Sequence, residues 1–399
     1  MVELNPKMQY RAGAGEDMLS VLGYGCMRFS RKGGGIDLDK AEQELMAAID
    51  GGVNYLDTAY IYPGSESAVG KILEKNVARN RVYLATKLPQ YMMKSMAAVE
   101  KTFQEELSRL RTDYIDYYLM HMITDVAQWR RLEAMGIGEW IAEKKKSGKI
   151  RHIGFSFHGN TDMFLQVLDA YDWEFCQIQY NYMDEHSQAG RRGLEAAERK
   201  GIPVVIMEPL RGGRLVSMMP KAAKKRMEEN SRGWSPAAWA FNWLWNQPGV
   251  TCVLSGMNSM EMLRENLESA GNSRPNSFTE DDFALIEAVK TEINANMRVG
   301  CTGCGYCMPC PQGVDIPGVF RNLNVIPIEG KFAALKGYWQ CTAIRKQPAN
   351  ASRCIGCGKC EKHCPQAIPI RDMLKVAAKE LDTPIYKIAL KAIQIWKPW

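Results

Sequence analysis

Over the first 296 residues, short apolar runs alternate with amphipathic stretches of helical period. The strand-like runs are residues 21–25, 53–57, 81–87, 114–120, 150–155, 175–180, 203–207 and 251–254. Helical patterns fall between them at 39–49, 95–110, 138–146, 161–169, 191–200, 236–246 and 260–267. Eight strands, nearly all followed by a helix, make the rhythm of a (β/α)8 TIM barrel. An open doubly wound sheet has a similar rhythm, but no G-x-G-x-x-G follows the first run. The polar stretch 271–279 leads into a last amphipathic helix over 280–294, and the pattern then breaks down. We therefore expect an α/β barrel domain over 1–296 and a smaller domain over 297–399.

That smaller domain carries eight cysteines in two tight runs. Cys301, Cys304, Cys307 and Cys310 precede Pro311; Cys354, Cys357, Cys360 and Cys364 precede Pro365. The second run is C-x2-C-x2-C-x3-C-P, the ligand spacing of a [4Fe–4S] cluster. Three cysteines two residues apart wrap one cube, and the fourth, ahead of a proline, binds the other. Crossed ligation follows: Cys301, Cys304, Cys307 and Cys364 on one cluster, and Cys354, Cys357, Cys360 and Cys310 on the other. The first run has only two residues before its last cysteine, which tightens the loop at Cys310. Zinc would take one cysteine pair from each of two places, and disulfides need an oxidising compartment. A helical pattern near 331–341 in the long spacer points to a mainly helical ferredoxin-like iron–sulfur domain. The other cysteines (Cys26, Cys176, Cys252 and Cys341) read as buried hydrophobes.

Charge and composition refine this picture. No apolar run approaches the roughly 18 residues of a membrane helix, and the N-terminus lacks a signal-peptide pattern. We expect a cytoplasmic protein without a membrane span. From residue 297 onward, fifteen Lys and Arg face six Asp and Glu, so that the net charge of +6 is concentrated in the tail. Cations offset the negative charge of thiolate-bound clusters, and a surplus steers an acidic redox partner. The basic residues are scattered and carry no nucleic-acid motif. The final stretch 385–396 is apolar with a few lysines and is expected to dock on the protein's own body.

The barrel carries a second chemistry. Asp57 closes the second strand and Tyr62 follows in the next loop, while Lys87 ends the third strand and His121 the fourth. Strand C-termini open on one face of a barrel, where such folds place catalysis. Each residue alone also reads as an ordinary turn, loop-end or core residue; the four in this order read as a site.

These residues resemble the aldo-keto reductases, over residues 8–270. The motifs are Asp57-Thr58-Ala59-x-x-Tyr62, Gly64-Ser65-Glu66 and Leu110-x-x-Asp113-Tyr114-x-Asp116 leading to His121. Ile153-Gly154-Phe155-Ser156, Gln177, Pro209-Leu210 and Glu265-Asn266 follow. With the cysteine tail, and Cys26-Met27-Arg28 after Gly25, the chain is similar to the bacterial and archaeal branch with a C-terminal 4Fe–4S ferredoxin domain. The resemblance implies hydride transfer between a nicotinamide and a small carbonyl or alcohol, with Tyr62 as proton donor. A phenol's ordinary pKa of about 10 hinders proton transfer at neutral pH; Lys87, held by Asp57, would favour the phenolate. His121 would orient the carbonyl. NADP or NAD would lie against Gly25, Met27, Ser156, Gln177, Met207, Leu210, Gly212, Ser255, Gly256, Met257, Glu265 and Asn266, with Gly213 also near the pyrophosphate.

Several positions depart from that pattern. Gly256, Met257 and Met262 stand where many members carry Lys, Ser and Arg for a 2′-phosphate; Arg264, Arg214 or Asn258 would have to substitute. Met207 replaces the usual aromatic residue, and Ser156-Phe157 replaces Ser-Asn. Tyr60, Trp129, Trp140, Phe157 and Trp234 are substrate-facing candidates or ordinary core, and Arg28 is an anionic anchor or a structural cation. A hydride is two electrons and a cluster takes one, and no flavin site is evident. Three functions remain open at this point. One is a carbonyl or alcohol oxidoreductase whose clusters exchange electrons with a carrier such as ferredoxin. Another is a NAD(P)H-dependent reductase with structural or redox-sensing clusters. The third is a non-catalytic electron-transfer or regulatory subunit.

Overall fold

The structure is a computed structural model that describes residues 4–5, 7–343 and 347–396. It divides into two compact units. One runs from the N-terminus to Pro209 and includes Ala237–Phe278; the other comprises Leu210–Pro236 and the chain from Thr279 onward.

The first unit contains a closed barrel of eight parallel strands. They are β1 (Leu22–Gly25), β2 (Tyr55–Asp57), β3 (Tyr83–Leu88), β4 (Ile115–Ile123), β5 (Ile150–Phe157), β6 (Phe175–Gln179), β7 (Val204–Met207) and β8 (Val250–Ser255). Neighbours around the barrel are neighbours in sequence, and β8 pairs with β1 to close it. The eight expected strands are these eight. Each is almost wholly buried because helices cover the outside and side chains fill the inside. Tyr55, Tyr83, Tyr117, Leu119, Phe175, Val205 and Leu254 pack together within the barrel. The aromatic members meet edge to face, with Tyr55 and Tyr117 centroids 5.2 Å apart and Tyr117 and Phe175 4.9 Å apart.

Residues ahead of β1 form a hairpin, Tyr10–Ala12 with Met18–Ser20, that the sequence pattern did not show. Its Ala14 and Leu19 join the barrel core, and the Ala14 N–H donates to the Tyr117 hydroxyl at 3.2 Å. The hairpin thus plugs the end of the barrel opposite the strand C-termini. Trp129, Trp140 and Phe157 are buried packing residues and not a substrate-facing rim. Tyr60 is bound to the Glu105 carboxylate at 3.0 Å, under the Arg109 guanidinium. Cys26, Cys176 and Cys252 are buried as expected.

The second unit is mainly helical. Helix Glu280–Asn296 opens with a reciprocal Thr279–Asp282 capping box and ends two residues later than its apolar pattern suggests. The spacer between the cysteine runs holds two helices, Ile316–Glu329 and Lys331–Thr342. Only the second was expected, because Pro317 and Pro327 disguise the first. Pro317 sits in the first turn, where no N–H is needed. Val314, Val319, Phe320, Leu323, Tyr338, Leu374 and Leu381 form this unit's core. Its polar ties are specific: the Tyr338 hydroxyl donates to Asp382 at 2.8 Å and accepts from the Ala351 N–H at 2.8 Å. The last helix, Pro384–Trp396, packs Tyr386 and Leu390 on this core, while Ile385 and Ile388 face solvent. The side chains of residues 389 and 393–396 in that expected docking segment lie outside the described residues. Cys341 is half-buried and bonded to the Tyr338 carbonyl, so it is less enclosed than expected. No helix among the described residues is long and apolar enough to cross a membrane.

Candidate functional site

Asp57, Lys87, His121, Ser156, Gln177, Met207 and Ser255 stand at or near the C-terminal ends of β2, β3, β4, β5, β6, β7 and β8. Lys87 is fully buried, and its ammonium donates to Asp57 Oδ2 at 2.6 Å and to the Thr58 carbonyl at 2.7 Å. A lysine has three N–H donors, so that one remains beyond these two bonds. The Lys87 Nζ lies 5.2 Å from the centre of the Tyr62 ring. Burial draws the lysine below its ordinary pKa range, and the Asp57 carboxylate opposes that pull.

Tyr62 is placed by a tightly tied loop after β2. Its N–H donates to the Ala59 carbonyl at 3.0 Å, and its own carbonyl accepts from Ser65 at 3.0 Å. The Ser65 hydroxyl reaches the Cys26 carbonyl at 2.9 Å and lies 2.8 Å from the Thr58 hydroxyl. The Tyr62 side chain is half-buried.

His121 meets the Tyr62 ring edge-on, centroids 6.0 Å apart at 82°. It sits where pairing between β4 and β5 slips, between Met120 and Ile123. Met122 there takes φ of +56°, and its N–H turns to the Ser156 hydroxyl at 2.9 Å. Such an irregularity re-aims a neighbouring side chain, which is how His121 is presented. Burial, with Lys87 and His158 nearby, pushes the His121 pKa well below its usual range, so the imidazole is neutral. His158, following Phe157, is likewise pushed down to about 4 by burial.

Gln177 completes the group. Its amide N–H donates to Asp57 Oδ1 at 2.9 Å, and since a carboxylate only accepts, this bond fixes which way the amide points. Gln177 Oε1 and His121 Nδ1 are both buried without a hydrogen-bond partner among the described residues. Buried polar atoms are normally paired, so these two suit a polar ligand such as a carboxamide or carbonyl.

The other residues assigned to a nucleotide fall into sets. At the end of β8, the Asn266 amide donates to the Ser255 hydroxyl at 3.1 Å and the Tyr24 hydroxyl to the Met257 carbonyl at 2.6 Å. Arg28 lies across Gly256, where a Cβ would meet its side chain at 3.2 Å. Met27 is half exposed and Gly25 and Glu265 partly buried. Leu210, Gly212 and Gly213 belong to the second unit, the two glycines at φ of +70° and +89°. Trp234 is also there, under the Arg232 guanidinium.

In the second unit, Cys301, Cys304, Cys307 and Cys364 line one pocket with Ile316, Phe320, Ile368 and Ile370. That juxtaposition unites three cysteines of the first run with the last of the second. Among the described residues, no two cysteines are joined in a disulfide. Among the described residues, no three His, Cys, Asp or Glu side chains converge on a single metal ion. The thiols surround a volume, as a multi-iron cluster requires. Both runs share a pattern that the spacing argument overlooked, C-x-G-C-G-x-C. Gly303 and Gly305 have φ of +76° and +83°, and Gly356 and Gly358 have +73° and +72°. Left-handed glycines on either side of the middle cysteine curl the loop around its cavity.

A barrel with this strand-end constellation, joined to a dicluster-type cysteine domain, defines an oxidoreductase with an iron–sulfur module. The chain belongs to the aldo/keto reductase family, whose model matches residues 21–291, and a 4Fe-4S dicluster domain matches residues 300–368. Among its relatives is the oxidoreductase YqkF of Bacillus subtilis, 27% identical, covering 70% of this chain and 95% of that protein. L-galactose dehydrogenase of Arabidopsis thaliana is 26% identical over 68% of this chain and 90% of its own length. Among solved structures, the aldo-keto reductase of Klebsiella pneumoniae in complex with NADPH superposes with a TM-score of 0.58. It is 23% identical and covers 71% of this chain and 95% of its own. These three relatives cover 68–71% of this chain.

Proposed function

We propose that the barrel reversibly transfers a hydride between a nicotinamide nucleotide, NADP or NAD, and a small carbonyl or alcohol, with Tyr62 as proton donor. We further propose that two [4Fe–4S] clusters exchange electrons with a carrier such as ferredoxin, in the reducing cytoplasm. The observation that carries the first part is the buried Asp57–Lys87 pair beside the Tyr62 ring, with neutral His121 edge-on to it. When bound, the nicotinamide supplies or accepts the hydride.

The chain's own residues do the rest. Tyr62 O–H gives its proton to the carbonyl oxygen as negative charge grows there. The Lys87 N–H not used by Asp57 and Thr58 stabilises the phenolate left behind. Asp57 keeps that ammonium in place, and Gln177 keeps Asp57 in place. His121, neutral in its buried setting, hydrogen-bonds the carbonyl oxygen and orients it without adding a competing cation. Gln177 Oε1 and the Ser156 hydroxyl are the polar groups for the nicotinamide carboxamide. In the reverse direction the phenolate takes the alcohol proton.

Cys301, Cys304, Cys307 and Cys364 would hold one cluster, and Cys310, Cys354, Cys357 and Cys360 the other. Exposure of Cys357 and of Ile355, at 66%, supports exchange with an external carrier at the second loop. A second reading, with structural or sensing clusters, is favoured by the packing of Cys301, Cys307, Cys310, Cys354, Cys360 and Cys364 against this unit's hydrophobic core. Anaerobic mixing with NADPH and then NADH separates the two: bleaching of the cluster absorbance supports the electron path, and an unchanged spectrum during turnover supports the second reading. For the barrel, Tyr62→Phe is expected to lower kcat by about 10²–10⁴ while nucleotide binding stays intact. An unchanged kcat would remove Tyr62 from the chemistry.

A further inference from the structure

We infer that Arg214 holds the reduction potential of the cluster on Cys301, Cys304, Cys307 and Cys364 above that of the cluster on the second cysteine loop. The inference depends on the two-cluster reading. Arg214 opens the short helix Arg214–Ser217, far in sequence from the cysteines but in the same unit. Its guanidinium donates to the Cys301 carbonyl, and its charge acts on the thiol of the same residue. It lies against the face of Gly303, where a Cβ would come within 3.3 Å of Nη2. A side chain at Gly303 would press on the guanidinium, so the fork is seated on the loop itself. Besides burial, the groups acting most strongly on Arg214 are the Cys301 thiol and two more cations, Arg211 and Arg321.

The second loop is built differently. Arg371 lies against Gly358, with Cζ 3.8 Å from where a Cβ would stand. Its charge is answered by Glu361 at 2.8 Å, and Glu361 adjoins the ligand Cys360. Cys357 is exposed, whereas no cysteine of the first set is. Reduction adds one negative charge to a cluster. A cation seated on a ligand cysteine in a half-buried setting favours that added electron, while a neutralised arginine beside a wet loop does so weakly. Arg214 is thus a positioning residue that acts through Cys301.

The test is an anaerobic potentiometric titration of the holoprotein with dithionite, followed by EPR after iron has been counted. Each step passes one electron from the reductant to one cluster, and no bond is broken. The wild type should show two separate steps. Arg214→Gln should lower the upper step by about tenfold in its reduction equilibrium, about 59 mV for one electron, and leave the lower step in place. Arg214→Lys, which keeps the charge and loses the fork, should lower it by about threefold. Arg371→Gln should move either step by less than about twofold. The inference is overturned by one common step in the wild type, by an unmoved upper step in Arg214→Gln, or by equal shifts of both steps. If Arg214→Gln binds less iron, Arg214→Lys decides, and an unmoved upper step there overturns the inference. Four irons per chain in the wild type, where eight are expected, would instead overturn the two-cluster reading beneath it.

Discussion

In the barrel, the buried cation Lys87 is met by Asp57 at 2.6 Å and a carbonyl at 2.7 Å from the chain itself. In the second unit, four thiols line one cavity, and burial together with the neighbouring cysteines pushes Cys307 up to about 12. The first arrangement is complete as a folded structure and leaves single atoms, Gln177 Oε1 and His121 Nδ1, for a ligand. The second gathers thiols whose charged forms repel one another, so that a positive cluster core suits them as ligands. Preorganised polar sites belong to the fold, whereas a metal site's binding energy is part of the folding energy. The two regions should therefore fail in different ways when disturbed.

The largest expected effect is on the cysteine loops. Anaerobic removal of iron with a chelator should open residues 301–310 and 354–364 to proteolysis, while barrel peptides keep their protection. Joint unfolding of barrel and tail would show that the difference between the regions is false. Next in size is Lys87→Met, which leaves the Asp57 carboxylate buried without its cation. Breaking such a pair costs about 3–5 kcal/mol, and a denaturant midpoint shift of that size should appear along with lost activity. Adding Asp57→Asn should restore much of the stability and none of the activity. The smallest effect concerns the opposite end of the barrel, where His152 meets Asp17 at 3.1 Å and Glu174 at 3.2 Å.

Burial opposes the charge on His152, but the two carboxylates overcome it and raise its pKa from 6.5 to about 9. Burial also opposes the Glu174 charge, yet His152, Lys145 and the Ile153 N–H bring it from 4.5 down to about 2. The histidine's contribution is full below pH 6.5 and disappears as pH rises through about 9. The glutamate's is full above pH 4.5 and disappears as pH falls through about 2. Wild type should therefore exceed His152→Gln most between pH 4.5 and 6.5. The difference is on the order of 1 kcal/mol after solvent screening, about 2–4 °C in Tm. A difference that does not shrink as pH rises from 6.5 through about 9 would remove the ion cluster from the stability of the barrel.

The same contrast explains what the chain displays as a string of letters. The barrel was legible because its strands are buried on both faces and read as continuous apolar runs between amphipathic helices. Asp57, Lys87 and His121 were legible because a strand end is a fixed place in this fold. The slip that aims His121 was not, since it depends on the register between β4 and β5. Nor was the hairpin plug, whose three-residue strands are too short to show a period. Exchange of Cys364 into the first loop's cavity followed from local spacing, while Arg214 reaching Cys301 across 87 residues had no local signal. The glycines of C-x-G-C-G-x-C were plainly readable in both loops, and only their conformation gives them meaning.

Hydride transfer in the barrel is tested most directly by anaerobic incubation of the holoprotein with nicotinamide nucleotide deuterated at C4, as NADPH and as NADH, plus a small aldehyde. One deuterium on the carbinol carbon of the alcohol, in the wild type and at a rate reduced by about 10²–10⁴ in Tyr62→Phe, is the predicted result. Alcohol formed without deuterium from either nucleotide would contradict direct transfer and place the electron path elsewhere.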